Sequence, residues 1–222
     1  MDDIKRKWNE YWGGLGSEHK LIGKFFSWYR KNIIAREINY YLNKYFKKQG
    51  IYVDCGCGSC ESSIKIKKYS RELIGLDISP AALFHAEKNK IMDKFIEADI
   101  KNLPFKDNSI DGIWNVGVME HFNHKEVNDI LNEFYRVLKY DSSCILFWPG
   151  KFGPTNLIFR PIEFIIKKIK KGKSIAPKEP SIIKSKKLLK KQIINETKFK
   201  DVKIFLSPRA LFVHYVVICK KS

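Results

Sequence analysis

The 222-residue sequence lacks the features of a membrane-spanning or secreted protein. It has no run of about 20 apolar residues, the length that a transmembrane helix needs. Its first ten residues, MDDIKRKWNE, carry charges with no apolar stretch after them, so we expect no secretory leader. Its five cysteines are odd in number and lack the spacing of a disulfide framework. These absences predict a reduced, cytoplasmic protein.

Acidic residues are scarce in the last third of the chain, and the formal net charge of +18 arises mostly there. Residues 1–150 carry 23 Lys and Arg against 20 Asp and Glu, whereas residues 151–203 carry 16 against 4. A basic segment of this kind attracts nucleic acid, anionic lipid or a phosphorylated acceptor. A general preference for lysine in the composition would explain the same excess without a function, and charge alone leaves both interpretations open.

The pattern of apolar residues predicts an α/β domain. Helical spacing over residues 21–48 precedes five short apolar segments typical of strands, at residues 51–54, 73–77, 94–98, 110–115 and 144–148. Helix signals separate several of them, including Ser79-Pro80 and the amphipathic stretch 124–138. Because strands that alternate with helices form parallel sheets covered on both faces, we expect five βα units.

The pattern changes at Gly150. Residues 156–171 and 182–197 have Lys-rich helical patterns, and residues 202–206 and 211–219 have strand patterns. The sequence therefore predicts a single domain over residues 1–222 with four parts. They are a helical cap (1–49), a ligand-binding core (50–150), a basic insertion (151–198) and a closing β-hairpin (199–222).

Polar or glycine signals follow the first three predicted strands. Gly56 and Gly58 let the backbone turn sharply after the first strand and approach a ligand closely. Asp77 ends the second strand, where an acid accepts hydrogen bonds from ribose hydroxyls in dinucleotide-type sites. Asp99 follows the third strand and could meet the exocyclic amine of an adenine. Because the carboxyl ends of parallel strands border one crevice, we expect one nucleoside-binding site.

Four segments carry a resemblance to a known family: VDCGCGSC, IGLDIS, EADIKNLPFKDNSIDGIWNVGVMEH and LNEFYRVLKYDSSCILFWPG. Over about residues 50–150 they resemble the class I S-adenosylmethionine-dependent methyltransferases, in particular the type 11, ubiquinone/menaquinone-biosynthesis-like branch. The resemblance implies a Rossmann-like, mostly parallel sheet of seven strands with an antiparallel last strand and helices on both faces. The N-terminal helices and the basic insertion between strands 5 and 6 would be additions to that fold.

The resemblance also implies S-adenosylmethionine as cofactor, S-adenosylhomocysteine as product, and a set of cofactor contacts. The methionine end would lie at the glycine loop, the ribose and adenine at the second and third strands, and the sulfonium near the fourth. In that order the residues are Asp54, Gly56, Cys57 and Gly58; Asp77 and Ile78; Asp99 and Ile100; Asn115 and Val116. One departure is Cys60, which stands where the family commonly has a third glycine.

Two rival ligands could use the glycine loop. A nicotinamide dinucleotide would place its pyrophosphate here, but Glu61, three residues beyond Gly58, would repel it, whereas an acidic loop suits a sulfonium. Cys55, Cys57 and Cys60 form C-x-C-x-x-C, which could suggest a metal. Zinc sites usually pair two C-x₂-C motifs, so we expect small buried cysteines and no metal.

The sequence offers one candidate catalytic residue and three candidate acceptor contacts. His121 follows the fourth strand and could act as a general base, although Glu120 and His121 could equally begin the next helix and pack on the cofactor. Tyr11 and Trp12 stand next to flexible glycines and could form a lid over the cofactor. Phe152 opens the apolar part of the insertion, where the family often builds its substrate cover.

We therefore expect methyl transfer to a small molecule, with oxygen as the methylated atom and a hydroxylated, lipid-like or sugar acceptor. The basic segment raises two alternatives, an RNA methyltransferase and a peripheral contact with a membrane. Against RNA, the fourth strand ends in Asn-Val-Gly-Val, whereas amino-methylating nucleic-acid enzymes resemble N/D-P-P-Y/F there. A non-catalytic cofactor-binding protein is a further alternative, and the sequence carries no signal for the oligomeric state.

Overall fold

The structure, a computed structural model, describes residues 2–14, 20–150 and 180–222. Phe152 and the predicted helix at 156–171 lie outside the described residues. The helices are α1 (Asp2–Gly14), α2 (Lys20–Tyr29), a π-helical segment (Arg30–Ile34), α3 (Ala35–Tyr45), α4 (Pro80–Glu87), a 3₁₀ turn (Met119–His121), α5 (His124–Val137) and α6 (Lys186–Glu196). The strands are β1 (Gln49–Cys55), β2 (Ser70–Asp77), β3 (Lys94–Glu97), β4 (Ile110–Val116), β5 (Leu138–Pro149), β6 (Asp201–Leu206) and β7 (His214–Lys220).

All seven strands form one sheet in the order β3-β2-β1-β4-β5-β7-β6. Strands β1 to β5 pair in parallel, and β7 runs antiparallel to both of its neighbours, β5 and β6. The predicted Rossmann-like sheet with an antiparallel last strand is confirmed. The strand order places the ends of β1 to β5 along one border of the sheet, called here the carboxyl edge. Among the described residues, no helix is long and apolar enough to cross a membrane.

The expectation of five βα units is wrong for two connections. Residues 56–69, between β1 and β2, form turns, and residues 98–109, between β3 and β4, form loops and turns without a helix. The first of these connections begins with GCGSCESS, in which Gly56, Gly58 and Cys60 all have positive φ. A backbone in the left-handed region cannot continue a right-handed helix, so this segment stays a loop. The helices α4, α5 and α6 follow β2, β4 and β5.

Several elements start or end at positions different from those predicted. Strand β7 begins at His214 and not at 211, and β2 begins at Ser70 and not at 73. Strand β5 begins at Leu138, six residues before the predicted start, and an irregularity in the β4–β5 register accommodates its first part. The predicted helix 21–48 is interrupted by the π-helical segment and ends at Tyr45. Its end is held by the buried Arg71, whose guanidinium donates hydrogen bonds to the carbonyls of Phe46 (3.1 Å) and Lys47 (2.7 Å). A cation suits the negative end of a helix dipole.

The sheet is buried on both faces, as a parallel sheet requires. One face packs against α5 and α6 around Phe134, Trp148 and Ile193. The other face packs against α3 and α4 around Ile38, Trp114 and related side chains. Helix α5 begins with a capping box in which Asn123 and Glu126 exchange hydrogen bonds. Both faces are therefore closed to ligands within the described residues, which leaves the carboxyl edge as the place for a site.

Candidate active site

The glycine loop after β1 is folded back onto β2. The backbone N–H groups of Gly56 and Cys57 both donate to the carbonyl of Leu76, at 2.7 and 3.0 Å. Gly56 and Gly58 have φ of +79° and +52°, in the left-handed region. A Cβ on Gly56 would lie 2.7 Å from Val118 Cγ2, so backbone conformation and space both require glycine there.

Asp77, at the end of β2, connects this loop to the following helix. Its Oδ2 accepts from the Gly58 N–H at 2.8 Å, and its Oδ1 accepts from the Ser79 N–H at 2.9 Å. Burial raises the pKa of Asp77, although the N–H donors partly counteract it. Each carboxylate oxygen can accept more than one hydrogen bond, so both oxygens can still receive ligand hydroxyls.

Asp54, the last polar residue of β1, points into the protein. Its Oδ2 accepts a 2.7 Å hydrogen bond from Ser63 Oγ, which belongs to the loop between β1 and β2. Burial raises the pKa of Asp54 to about 7, and the nearby charge of Asp77 adds to this effect, while hydrogen bonds from Ser63 and Trp114 lower it. The carboxyl therefore holds the loop in place. Its predicted contact with the methionine end of the cofactor stays a prediction.

The predicted adenine contacts lie at the ends of β2 and β3. Asp99 is half-buried, and its Oδ1 accepts from the Lys101 N–H at 2.9 Å, which fixes the turn after β3. Ile78 is half-buried beside Asp77. Ile100 is packed into the core on the α5 side of the sheet. Ile100 therefore supports the turn, and Ile78 and Asp99 are the more accessible of the three.

Asn115, near the end of β4, is fully buried, yet neither its Oδ1 nor its Nδ2 has a hydrogen-bond partner in the described part of the chain. An unsatisfied buried polar group costs about 1–3 kcal/mol, so such a side chain is typical of a ligand site. The adjacent Val116 is half-buried on the opposite face of the strand, in contact with the core there. A buried amide that needs partners fits a ligand with donor and acceptor groups.

Helix α1 covers the carboxyl edge. Asn9 Oδ1 accepts from Ser79 Oγ (3.2 Å) and from the Ala81 N–H (3.0 Å), at the start of α4. The ring of Trp12 lies on Gly58, where a Cβ would come within 2.6 Å of Trp12 Cζ2. Lys5 forms an ion pair with Glu97 at the end of β3. Helix α1 therefore lies over the glycine loop and contacts the ends of β1, β2 and β3, and the role of Tyr11 and Trp12 as a lid over the cofactor stays a prediction.

His121 lies under the same helix. It ends the 3₁₀ turn after β4, and its ring meets that of Trp8 edge to face, with centroids 5.0 Å apart. Trp8 in turn meets Tyr11, at 5.7 Å. Burial raises the pKa of the Tyr11 phenol, although Arg30 partly counteracts it. The structure thus brings His121 and Tyr11 to one aromatic cluster through Trp8, which sequence reasoning missed although residues 8, 11 and 12 have helical spacing.

The side chain of Glu61 is paired with cations, so the predicted repulsion of a pyrophosphate is not supported. Glu61 accepts from Ser27 and from Arg30 Nε (2.8 Å), and it forms an ion pair with Lys31 at 3.2 Å. Burial alone would raise its pKa, but the Ser27 hydrogen bond and the two cations lower it. Its charge therefore fastens α2 and the π-helical segment to the loop.

The cysteines of the loop are all buried. A hydrogen bond to Cys60, together with burial, raises the pKa of Cys57 well above its ordinary value, and burial raises that of Cys55. Cys60 has a φ of +57°, so it adopts the left-handed conformation that the glycine of the family would adopt. Within the described residues, no three His, Cys, Asp or Glu side chains lie together as metal ligands would.

Comparison with known proteins agrees with this geometry. Residues 53–146 match the family model of a methyltransferase domain. An uncharacterized protein of Methanocaldococcus jannaschii is 36% identical over 115 residues, which cover 51% of this chain and 48% of that protein. The malonyl-[acyl-carrier protein] O-methyltransferase of Yersinia pestis is 26% identical over 89 residues, 40% of this chain and 33% of that protein. The chain spans about half or less of the length of these curated relatives.

The solved structure of magnesium protoporphyrin IX methyltransferase from Synechocystis, with bound S-adenosylhomocysteine, is similar with a TM-score of 0.61. The sequence identity is 16%, and the match covers 99% of each chain, so this likeness concerns the fold. The match of the family model to residues 53–146 confirms the resemblance seen in the sequence. Residues 53–146 carry a type 11 methyltransferase domain, and the seven-stranded sheet has the fold of the S-adenosylmethionine-dependent methyltransferases.

Proposed function

We propose that this chain binds S-adenosylmethionine at the carboxyl edge and transfers the methyl group to oxygen of a small acceptor. The observation that carries the proposal is the linkage of Gly58 and Asp77 by a 2.8 Å hydrogen bond directly beneath Trp12. This linkage joins the two most characteristic motifs of the family at one covered crevice. The matched methyltransferase family supports the cofactor, and the O-methyltransferase among the relatives supports oxygen.

Different residues of the carboxyl edge would bind different parts of the cofactor. Asp77 would accept hydrogen bonds from the ribose hydroxyls, and Ile78 and Asp99 would border the adenine. The loop from Asp54 to Gly58, including Cys57, would hold the methionine end, with the Asn115 amide available to a polar group of the cofactor or the acceptor. Val116 and Ile100 would act by packing. When bound, the cofactor supplies a methyl carbon already activated by its positive sulfonium.

The protein then has to orient the acceptor, exclude water and accept a proton. Helix α1 would exclude water because Trp8, Tyr11 and Trp12 cover the crevice. The main contribution of a protein to methyl transfer is to hold the acceptor oxygen in line with the methyl carbon. The two reactants then need no random encounter in solution. His121 is within reach of the same cluster and would take the proton of an acceptor hydroxyl. We propose that Tyr11 and Trp12, with Phe152 of the insertion, contact the acceptor.

The aromatic surroundings favour an acceptor with an apolar body and an oxygen nucleophile. Trp8, Tyr11 and Trp12 bring three aromatic rings to the underside of α1, and such rings bury large apolar area while offering a polar tip. A free sugar would need many hydrogen-bond partners for its hydroxyls. We therefore propose a hydroxylated, lipid-like acceptor, which matches this lining better.

Titration calorimetry with S-adenosylmethionine, S-adenosylhomocysteine and NAD tests the cofactor. We expect the first two to bind and NAD not to bind. Asp77→Ala should weaken binding at least about tenfold, because a hydrogen bond to a charged group contributes about 1.5–3 kcal/mol. Asp129→Ala, which removes an exposed acid on α5, is the control and should leave the affinity unchanged. Binding of NAD, or equal losses in both variants, would contradict the proposed site.

The reaction itself is tested with methyl-labelled cofactor and a panel of phenols, hydroxylated lipids, carboxylates and RNA. We expect label in an oxygen-bound methyl group of a small acceptor, and His121→Ala should lower kcat more than it changes cofactor affinity. Label in RNA alone would support the RNA alternative. Tight cofactor binding with no label in any acceptor would support a non-catalytic binding protein.

A further inference from the structure

Large apolar side chains are exposed at one corner of the carboxyl edge, outside the proposed cofactor site. Leu211 and Phe212, in the turn between β6 and β7, are 61% and 49% exposed. Phe25 and Trp28 of α2 are 48% and 52% exposed, and their rings stack with centroids 6.2 Å apart. Exposed apolar clusters of this kind mark interaction surfaces in proteins.

These two pairs are neighbours in space. Tyr29, which follows Trp28, lies against the carbonyl of Ala210, which precedes Leu211, with 3.3 Å between Tyr29 Oη and the Ala210 oxygen. The exposed apolar side chains of α2 and of the β6–β7 turn therefore lie on either side of the contact between Tyr29 and Ala210. We call the four exposed side chains the apolar corner: Phe25, Trp28, Leu211 and Phe212.

The turn adopts a costly conformation to present its side chains. Leu211 and Phe212 have φ of +56° and +58°, in the left-handed region that bulky side chains rarely adopt. Two successive residues in this region are both strained, and such strain clusters at functional sites. Asparagine or glycine would relieve the strain but would remove the exposed apolar surface.

A lysine-rich segment begins at the same carboxyl edge as the apolar corner, although its helix α6 packs on the opposite face of the sheet from α2. The Gly150 N–H donates to the carbonyl of Val213, next to Phe212, and Gly150 also pairs with Ile183. Ile183 precedes a run of five exposed lysines, none of which forms an ion pair with a described residue: Lys184, Lys186, Lys187, Lys190 and Lys191. The first turn of α6 contains no acid, so Lys186 and Lys187 meet the positive end of the helix dipole. The arrangement destabilises the helix unless a negative surface compensates it.

An anionic membrane surface matches both the exposed apolar side chains of the corner and the exposed lysines of residues 184–191. Tryptophan, phenylalanine and leucine side chains insert at the headgroup boundary of a bilayer, and each lysine near an anionic leaflet adds electrostatic attraction. Leu188, between the lysines, is 67% exposed and extends the apolar area. Nucleic acid would use the lysines and stack on the aromatic rings, but it would leave the aliphatic Leu188 and Leu211 exposed. We propose that the apolar corner and the lysines at 184–191 form a surface for binding anionic phospholipid membranes.

Flotation of the full chain with phosphatidylglycerol vesicles and with phosphatidylcholine vesicles, without cofactor, tests this surface. We expect the protein to float with the anionic vesicles only, and less so in high salt. The triple variant K184Q/K187Q/K191Q should lower partition about tenfold or more, since three attractive charges are removed. The matched control K47Q/K67Q/K90Q removes three exposed lysines before β1, β2 and β3, at the opposite edge of the sheet, and should behave as the wild type.

The apolar part is tested by L211N/F212N, because asparagine tolerates the left-handed conformation and the variant should fold. We expect partition to fall several-fold, whereas Tyr140→Ser, at an exposed aromatic on the amino-terminal part of β5, should leave it unchanged. Brominated phosphatidylglycerol should quench tryptophan emission in the wild type and much less in Trp28→Phe.

Three results would overturn the inference. The first is no partition to anionic vesicles, or an equal loss in the lysine control. The second is a dimer in sedimentation velocity that L211N/F212N abolishes, which would assign the corner to a second copy. The third is RNA binding that the lysine variant abolishes while vesicle partition is unchanged. Because no cofactor is present in these measurements, they are independent of the proposed methyl transfer.

Discussion

At the scale of single residues, Asp54 makes the stability of the protein sensitive to pH. Its carboxyl is buried against Ser63 and Trp114, and its pKa is raised from 3.8 to about 7. The folded protein therefore binds this proton more tightly than the unfolded chain does. The resulting stabilisation is fully present below about pH 4 and is lost as the pH rises through about 7.

We expect Asp54→Asn to remove this part of the pH dependence. The difference between 3.8 and about 7 corresponds to about 4 kcal/mol of unfolding free energy. Urea unfolding at a series of pH values between 4 and 8 should show the wild type losing stability relative to the variant as pH rises. Parallel curves for the two proteins would show that Asp54 has an ordinary pKa. Asp129→Asn, at an exposed position, serves as the control.

Cys60 is a second residue whose conformation has a measurable consequence. A glycine there would remove the strain of the left-handed backbone and stabilise the folded state by on the order of 1 kcal/mol. The loss of the buried Cys60 thiol would destabilise it by a similar amount. We expect Cys60→Gly to leave the free energy of unfolding and the S-adenosylhomocysteine affinity nearly unchanged. Cys60→Val should destabilise clearly, because a β-branched side chain is poorly accommodated at positive φ. Equal effects of glycine and valine would show that the φ at this position does not matter.

At the scale of elements, α1 is the part that closes the crevice. Its contacts reach the glycine loop through Trp12, the start of α4 through Asn9, and the 3₁₀ turn through Trp8. In the proposed site the cofactor lies beneath α1, so its exchange would require this helix to move. The rate of cofactor release should therefore depend on how well its aromatic residues pack.

We expect Trp12→Ala to speed S-adenosylhomocysteine release about tenfold, because truncating a packed tryptophan removes much of the cover over Gly58. Stopped-flow displacement measures this rate. Trp28→Ala removes the same side chain from the outer face of α2 and is the control. An unchanged release rate for Trp12→Ala would mean that α1 does not control access.

At the scale of the whole molecule, the cofactor joins loops that are distant in sequence and should stabilise the entire fold. A ligand at 100 times its Kd contributes about 2.7 kcal/mol of stability. For a chain of this size, that corresponds to a rise in Tm of about 5–10 °C. Thermal unfolding with S-adenosylhomocysteine should show this rise for the wild type and a smaller one for Asp77→Ala at the same concentration. An equal rise with NAD would contradict the specificity.

The sequence by itself determined the sheet and which candidate residues stand at the ends of its strands. The local signals are short apolar runs, glycines after β1 and acids at the ends of β2 and β3. Because the strands are parallel, the glycines and acids all lie at the carboxyl edge. These signals suffice to place Gly56, Gly58 and Asp77 together. They do not suffice to recognise the loop after β1 as helix-free, because its left-handed residues include Cys60, and local preference does not predict that conformation for cysteine.

Only the tertiary structure decided which side chains meet across long separations. Trp8 and Asn9 lie about 70 or more positions before the residues they contact near α4 and the 3₁₀ turn. The sequence position of Glu61 suggests a ligand contact, but its side chain pairs with cations of α2 and the π-helical segment. Phe25 and Leu211 come to one corner because α2 and the β6–β7 turn pack together. The spacing of apolar residues determines which face of a helix or strand is buried. Which other element covers that face depends on how the whole chain packs.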